Sequence, residues 1–441
     1  EKKAGVLGAE GSCLITDERV TLASFLRDNG YNTAMIGKWH LGMDFPGTPG
    51  HRDWSQPVED MPLDKGFDYF YGVPASLNYG ILAWFEGRYA KVPPTVYTAK
   101  KKNDRHMDYR IMPPYQDTPE GTKEVLQTRG MEVAPDFIDN ECLTRFTDKA
   151  IEWMQGKVDD AENNKPFFLY LPFTSPHYPV CPREEFWNQG DCGGYGEFMI
   201  ETDHHVGRVL DFLEQSGLDD NTMVIFASDN GCAHYIGAKE MEAQGHFPSG
   251  PFRGYKSDAW DGGHRIPCIA RWPGVIRPGS ECDQLVCLAD LMATCAELLD
   301  DTLPDNAGED SVSMMPLLGA TGATNRHTVI HHSITGKFAI RDGRWKLVLC
   351  PGSGGWTQND AEAAREGLPL VQLYDMQTDP GEQQNLHAEN PQRVKDMIAI
   401  LKQLVAEGRS RPGAHQENDV AVDIWKLDTM PDLDPRALDD Y

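Results

Sequence analysis

The sequence predicts an α/β protein with a central, mostly parallel sheet covered by helices, followed by a small α+β subdomain with an antiparallel sheet. Three observations predict it. Between residues 20 and 227, apolar runs of strand length alternate with stretches of helical spacing, the pattern of a parallel sheet. Polar residues suited to chemistry fall just past the predicted strands, where open α/β sheets bind ligands. From residue 326 onward, short strands follow one another closely, as in an antiparallel sheet.

Thr16 or Asp17 is placed to cap a first helix carrying Val20, Leu22, Ala23, Phe25 and Leu26, which Asn29-Gly30 ends. Residues 32–36 read as a strand that delivers Lys38 and His40. In extended chain, positions two apart share a face, so this cation and imidazole can converge on one small anion. The stretch 44–139 is rich in Pro, Gly and charge without sustained periodicity. It reads as a long insert over the mouth of the site.

The spacing predicts a helix over 137–154 and a strand buried on both faces over 166–173, with His177 just beyond. A helix is expected over 197–215, with Met199, Ile200, Val206, Val209, Leu210 and Leu213 as its apolar side. Residues 222–227 form the next buried strand, ending at Asp229-Asn230. In the C-terminal part, strands are expected over 329–334, 338–341, 345–349 and 370–374, with Asp342-Gly343 as a hairpin turn. Pro391 then opens a helix carrying Val394, Met397, Ile398, Leu401 and Leu404. The division is placed between a larger domain, 1–325, and a subdomain, 326–441.

A chain of 441 residues exceeds one ordinary domain, which agrees with that division. No apolar run approaches the roughly 18 residues of a membrane-spanning helix. Ten cysteines occur without a single CxxC pair, which argues against a structural zinc site. The formal charge of −27 repels nucleic acid and anionic membranes. An anionic substrate therefore needs a locally basic site, and Lys38, His40, His177, Lys256, His264 and Arg265 would supply it.

The hexapeptide Gly37-Lys38-Trp39-His40-Leu41-Gly42 resembles the GKWHLG signature of the type I sulfatases. Ser175-Pro176-His177, residues 226–231 (Phe-Ala-Ser-Asp-Asn-Gly), and Gly254-Tyr255-Lys256 leading into residues 260–267 (Trp-Asp-Gly-Gly-His-Arg-Ile-Pro) are similar to further blocks of that family, in its order. Leu373-Tyr374-Asp375 and Asp379-Pro380-Gly381-Glu382 through Asn385-Leu386 resemble its closing pattern. The resemblance spans residues 20–386. It implies an alkaline-phosphatase-like sandwich and a hydrolase of sulfate esters acting on a sulfated carbohydrate or an aryl sulfate, periplasmic or secreted.

Members of that family carry, upstream of the hexapeptide, a Cys- or Ser-x-Pro-x-Arg block whose Cys or Ser is oxidised to formylglycine. A metal-binding pair of Asp residues precedes it. Residues 1–36 contain neither. Cys13 is followed by Leu-Ile-Thr, and Cys181-Pro182-Arg183 comes too late with the wrong spacing. The expectation is a sulfatase without its N-terminal segment, with formylglycine on a residue outside this chain. Loss of a central strand would leave unpaired edges, so the isolated chain is expected to be unstable or to aggregate.

Asp229 and Asn230 offer hard oxygen ligands suited to Ca²⁺ or Mg²⁺, and the resemblance implies calcium. Two side chains fall short of the roughly six to eight oxygens Ca²⁺ takes, so weak or absent binding by this chain alone is expected. By resemblance, Lys38 and Lys256 hold the sulfate oxygens, and His40 contacts the formylglycine hydrate. His177 would hydrogen-bond sulfate and, with Lys256, protonate the leaving oxygen. His264 and Arg265 are assigned to substrate binding. Cys232 reads as an inert thiol, and His331-His332 and Asp203-His204-His205 as structural. Two alternatives stand beside this reading. One is a phosphatase or phosphonate hydrolase of the same superfamily; the other is a non-catalytic binder of sulfated glycans.

Overall fold

The computed structural model describes residues 11–99, 130–319, 322–431, 433–438 and 441. The chain divides into two compact units, one of Val6–Thr222 and one holding Met223–Tyr441. The four-stranded C-terminal sheet begins inside the second unit, at Thr328.

In the first unit, helix α1 (Leu22–Asp28) is capped by Thr21, not by Thr16 or Asp17. Thr21 and Ser24 form a reciprocal capping box: Ser24 N donates to Thr21 Oγ1 at 3.0 Å and Thr21 N to Ser24 Oγ at 2.9 Å. Asp17 instead accepts from Lys65 Nζ at 2.9 Å. Strand β1 (Asn32–Lys38) is buried along almost its whole length. It lies between two parallel neighbours, β2 (Tyr69–Val73) and β3 (Phe167–Tyr170), with Ala34 opposite both Tyr69 and Leu169. Two short antiparallel strands, Phe85–Glu86 and Tyr89–Ala90, extend the sheet beyond β2.

The stretch 44–139 is thus more than a cover over the site. It supplies β2, and Phe70, Tyr71, Val73, Leu82, Trp84 and Phe85 from it are buried in the core of this unit. A five-residue strand is too short for its period to show among turn residues. Residues 100–129 of the expected insert lie outside the described residues. Strand β3 is expected to be buried on both faces but is only half-buried, with Tyr170 exposed. Among the described residues it pairs only with β1, which makes it an edge strand.

Helices α2 (Cys142–Gln155) and α3 (Gly193–Gln215) pack on one another, with Arg208 Nη2 donating to Asp148 Oδ1 at 2.7 Å. The buried side of α3 is not the apolar one expected. Glu197, Phe198, Glu201, Thr202 and His205 are buried together with the expected Leu213, while Met199 is exposed. One oxygen of each carboxylate meets a backbone donor: Glu201 Oε2 accepts from Arg183 N at 3.0 Å, and Glu197 Oε1 from Asn188 N at 2.8 Å. These hydrogen bonds offset part of the penalty of burying them.

In the second unit, β4 (Val224–Ala227) does not extend a parallel sheet. It pairs antiparallel with β5 (Cys268–Arg271), Ile225 opposite Ala270. An apolar run fixes neither partner nor direction, which is why sequence missed this. Strands β6 (Thr328–His332), β7 (Phe338–Asp342), β8 (Trp345–Val348) and β9 (Gln372–Asp375) form an antiparallel sheet in sequence order. The β7–β8 turn closes on Gly343-Arg344, one residue later than expected, with Asp342 still paired to Trp345. Helix α4 (Pro391–Glu407) buries Val394, Met397, Ile398 and Leu401 in one core with Phe338, Ile340, Leu347 and Leu373. Each of those side chains contributes about 1.5–3 kcal/mol by leaving water.

Candidate active site

The first unit gathers Lys38, His40 and His177 at the carboxyl edge of its parallel strands. Lys38 N donates to Pro172 O at 2.9 Å, Trp39 N to Val73 O at 3.1 Å and His40 N to Pro74 O at 2.8 Å. The segment is therefore clamped between the chains leaving β3 and β2. Glycine at 37 is a steric necessity, since a Cβ there would lie 2.1 Å from Pro172 O. Trp39 is buried and donates its indole N–H to Gly42 O at 2.8 Å.

The alternation of an extended strand ends at Trp39. His40 takes a left-handed backbone, φ 57°, which costs a non-glycine residue about 1 kcal/mol or more. Its ring stands edge-on to Tyr79 at 4.9 Å, with Nδ1 3.4 Å from Ser76 Oγ. His177 Nδ1 lies 2.6 Å from Tyr178 O, and a carbonyl only accepts. Nδ1 therefore carries the proton, and Nε2 is the acceptor nitrogen of the neutral ring. The ring stacks on Tyr178 at 4.9 Å, whose hydroxyl accepts from Asn78 Nδ2 at 2.7 Å.

The second unit brings three loops together through backbone contacts, two of them at glycines where a Cβ would clash. Gly231 N donates to Gly263 O at 3.0 Å, Gly262 N to Arg253 O at 2.7 Å, and Lys256 N to Cys232 O at 2.7 Å. A Cβ on Gly231 would lie 1.8 Å from Gly262 O. Asp229-Asn230, Lys256 and the turn of Asp261–His264 are thereby held in one corner. Burial pulls the Lys256 ammonium below the usual lysine range, and the Asp229 carboxylate partly restores it.

Asn230 Nδ2 donates to Asp229 Oδ1, and Asn230 Oδ1 is buried without a hydrogen-bond partner. An orphaned oxygen beside a carboxylate suits a hard divalent cation in its chemistry. In number it does not suffice: no group of three or more His, Cys, Asp or Glu among the described residues is placed to hold a metal. Asp229 and Asn230 fit as part of a coordination set.

His264 and Arg265 lie at the end of the same corner, with His264 Nε2 buried and without a hydrogen-bond partner. The turn they follow is a single helical one, Asp261–His264. The His264 ring lies 4.2 Å from that of His331, and burial, aided by the Lys346 charge, pushes its pKa down to about 4. His264 is thus neutral at physiological pH. The Arg265 guanidinium lies over Phe252 at 4.5 Å and 3.8 Å from Asp261 Oδ2. His331 Nε2 lies 3.1 Å from Ala259 O, which fits its structural assignment, and Cys232 Sγ lies 3.6 Å from Ala233 O.

Sequence reasoning gave no role to Asp261, Lys346 or Glu382, which form a buried ion cluster. The signal was present in that Asp261 and Glu382 fall within recognised blocks. The Ser-x-Pro-x-Arg spacing also recurs far downstream, at Ser249-Gly250-Pro251-Phe252-Arg253. There Arg253 is structural: it lies over Trp260 at 3.6 Å and donates to Tyr374 Oη at 3.2 Å and Glu382 O at 3.0 Å.

The model of the sulfatase family matches residues 12–301. The chain belongs to the sulfatase family. Its reaction class is accordingly the hydrolysis of sulfate esters. It is 28% identical to the N-acetylgalactosamine-6-O-sulfatase of Bacteroides thetaiotaomicron, over 91% of this chain and 80% of that one. It is 28% identical to human arylsulfatase A, over 88% of this chain and 70% of that one. A solved structure from work on glycosaminoglycan metabolism by Bacteroides thetaiotaomicron superposes with TM-score 0.76 at 26% identity, covering 92% of this chain and 85% of that one. A sulfatase from Pseudoalteromonas sp. shares the fold, with TM-score 0.65 at 22% identity, covering 92% and 78%. The alkaline-phosphatase-like fold expected from sequence is thus borne out. Among the described residues no helix is long and apolar enough to cross a membrane.

Proposed function

We propose that this sulfatase removes sulfate from a sulfated carbohydrate, in the periplasm or outside the cell. The observation that carries the reading is the glycine-pinned corner of the second unit. It holds a desolvated lysine beside a carboxylate and an orphaned amide oxygen. The carbohydrate class is supported by the similarity to an N-acetylgalactosamine-6-O-sulfatase.

Lys256 and Lys38 are assigned to the sulfate oxygens. A fixed ammonium in a dry site stabilises negative charge as it grows on those oxygens, more strongly than in water. His177, with its proton fixed on Nδ1 by Tyr178 O, presents Nε2 to accept a hydrogen bond; when protonated it donates to the leaving oxygen, as does Lys256. His40 is assigned to orienting the nucleophile, with its ring fixed by Tyr79. Formylglycine, where present, supplies the nucleophilic hydroxyl. Asp229 and Asn230 would contribute two oxygens to a divalent cation, which we assign as Ca²⁺, with Mg²⁺ the alternative. That cation would offset the charge of the bound sulfate. His264 and Arg265, at the end of this corner beside His331, Phe252 and Asp261, are assigned to substrate binding.

The test is to incubate the full-length protein, with the segment upstream of residue 1 included, with a sulfated oligosaccharide and, separately, an aryl phosphate, and to measure the inorganic anion released. Sulfate release well above phosphate release is expected. Dominant phosphate release would replace this reading with a phosphatase, and tight oligosaccharide binding without any release would replace it with a glycan binder.

A further inference from the structure

We propose that Trp356, flanked by His234 and Tyr235, is a stacking platform for a sugar ring of the saccharide substrate, beside Lys256. The proposal rests on the sulfatase reading and adds a saccharide subsite to it.

Trp356 is 46% exposed, whereas Trp39, Trp84 and Trp260 are buried and the remaining tryptophans are partly buried. Its loop is nevertheless firmly held. Trp356 N donates to Ser257 Oγ at 3.1 Å and Thr357 N to Asp258 Oδ1 at 3.2 Å, and Asp258 is wholly buried. Ser353 Oγ accepts from Gly355 N at 3.1 Å and Gln358 N at 3.0 Å. The loop lies so close to the chain after Lys256 that a Cβ on Gly355 would sit 2.5 Å from Ser257 O. Ser257 itself holds φ 88°, the kind of strained backbone that clusters at ligand sites.

The rings of His234 and Tyr235 stand 5.9 Å from the indole, at 68° and 47° to it. Both rings are inclined to the indole plane, and neither stacks parallel on it. A pyranose ring has a face of C–H groups and a rim of hydroxyls. A rigid, half-exposed indole covers the first at little entropic cost, and neighbouring imidazole and phenol groups suit the second. Three rings with polar tips make too small and too wet a surface for a lipid or an apolar helix. Lys256, one residue before Ser257, supplies the cation for a sulfate on the same or the adjoining sugar.

The experiment is calorimetric titration of the full chain, wild type against Trp356→Ala and Trp356→Phe, with a sulfated oligosaccharide and with inorganic sulfate. The readout is the ratio of the two affinities. Trp356→Ala is expected to lower that ratio about ten-fold or more, and Trp356→Phe to keep it within about three-fold of wild type. An unchanged ratio in Trp356→Ala overturns the platform and leaves the sulfatase reading intact. A wild-type protein that binds sulfate but not the oligosaccharide overturns the carbohydrate reading and the platform with it. The phenylalanine variant, matching wild type in its ratio, separates lost stacking from a misfolded loop.

Discussion

The Lys346 ammonium lies 2.7 Å from Asp261 Oδ1, and the lysine side chain has no solvent exposure at all. Its other partner, Glu382 Oε1, is 2.8 Å away and equally buried. Burial pushes Asp261 up, but Lys346 outweighs it and holds the carboxyl below its usual value; burial raises Glu382. Asp261 N also donates to Glu382 Oε2 at 2.7 Å. The turn leading to His264 and Arg265 is thus tied to β8 and to the loop after β9 by one buried cation.

Lys346→Met is therefore expected to destabilise the protein by about 3–5 kcal/mol, since it strands two carboxylates in a dry interior. Urea unfolding measures this. Adding Asp261→Asn and Glu382→Gln to that variant should recover much of the loss. A single-variant cost under about 1 kcal/mol would show that the cluster is hydrated.

His264 links stability to pH. Its folded pKa of about 4 lies below the ordinary 6.5 because burial, and then the charges of Lys346 and His332, push it down, while Asp261 opposes them. The unfolded chain then binds more protons between those values, so stability rises with pH across that window. The contribution is complete above pH 6.5 and is lost as pH falls toward about 4, on the order of 3 kcal/mol. His331, also pulled down by burial, adds in the same direction. Thermal midpoints measured through this range should fall steeply for wild type and less so for His264→Gln. Parallel slopes would rule out this source.

Much of this was legible in sequence, for local reasons. Helix α4 announces itself because Val394, Met397, Ile398 and Leu401 sit at helical spacing after Pro391, and all four are buried. Strand β1 was legible as an apolar run delivering Lys38. What escaped depends on distant partners. Glu197 and Glu201 line the buried side of α3 because backbone N–H groups of Asn188 and Arg183 meet them, which no periodicity reveals. The Lys346–Asp261 pair is separated by 85 residues. The left-handed turn at His40 likewise overrode the strand alternation that placed it beside Lys38.

Lys256 is expected to give sulfate binding an early alkaline limit. Only the protonated ammonium holds the anion, and burial lowers its pKa despite the Asp229 carboxylate. Affinity should therefore fall as pH rises through a value below the ordinary lysine pKa of about 10.4. Lys256→Met should remove that step and cost about ten-fold or more in sulfate affinity at neutral pH. Titration calorimetry against pH checks both. A wild-type curve flat into the ordinary lysine range would mean that Lys256 is solvated or does not touch the anion.

Two glycine variants separate the site from the scaffold. Gly37→Ala would drive a methyl to 2.1 Å from Pro172 O at φ 140°, so β1 or the chain after β3 must move. The cost is expected to be at least about 1–3 kcal/mol. Lys38 and His40 follow directly in the chain, and both donate their backbone N–H to the clamping segments, so anion binding and turnover should drop out of proportion to stability. Gly30→Ala is the contrast, with φ 88° and nothing within 4 Å of the added methyl. It carries only the left-handed backbone cost of about 1–2 kcal/mol, remote from the clamp, and should leave sulfate affinity near wild type. Unfolding and sulfate titrations on the same preparations make the comparison. Equal losses of affinity in the two variants would mean that stability alone, not the seating of Lys38 and His40, governs binding.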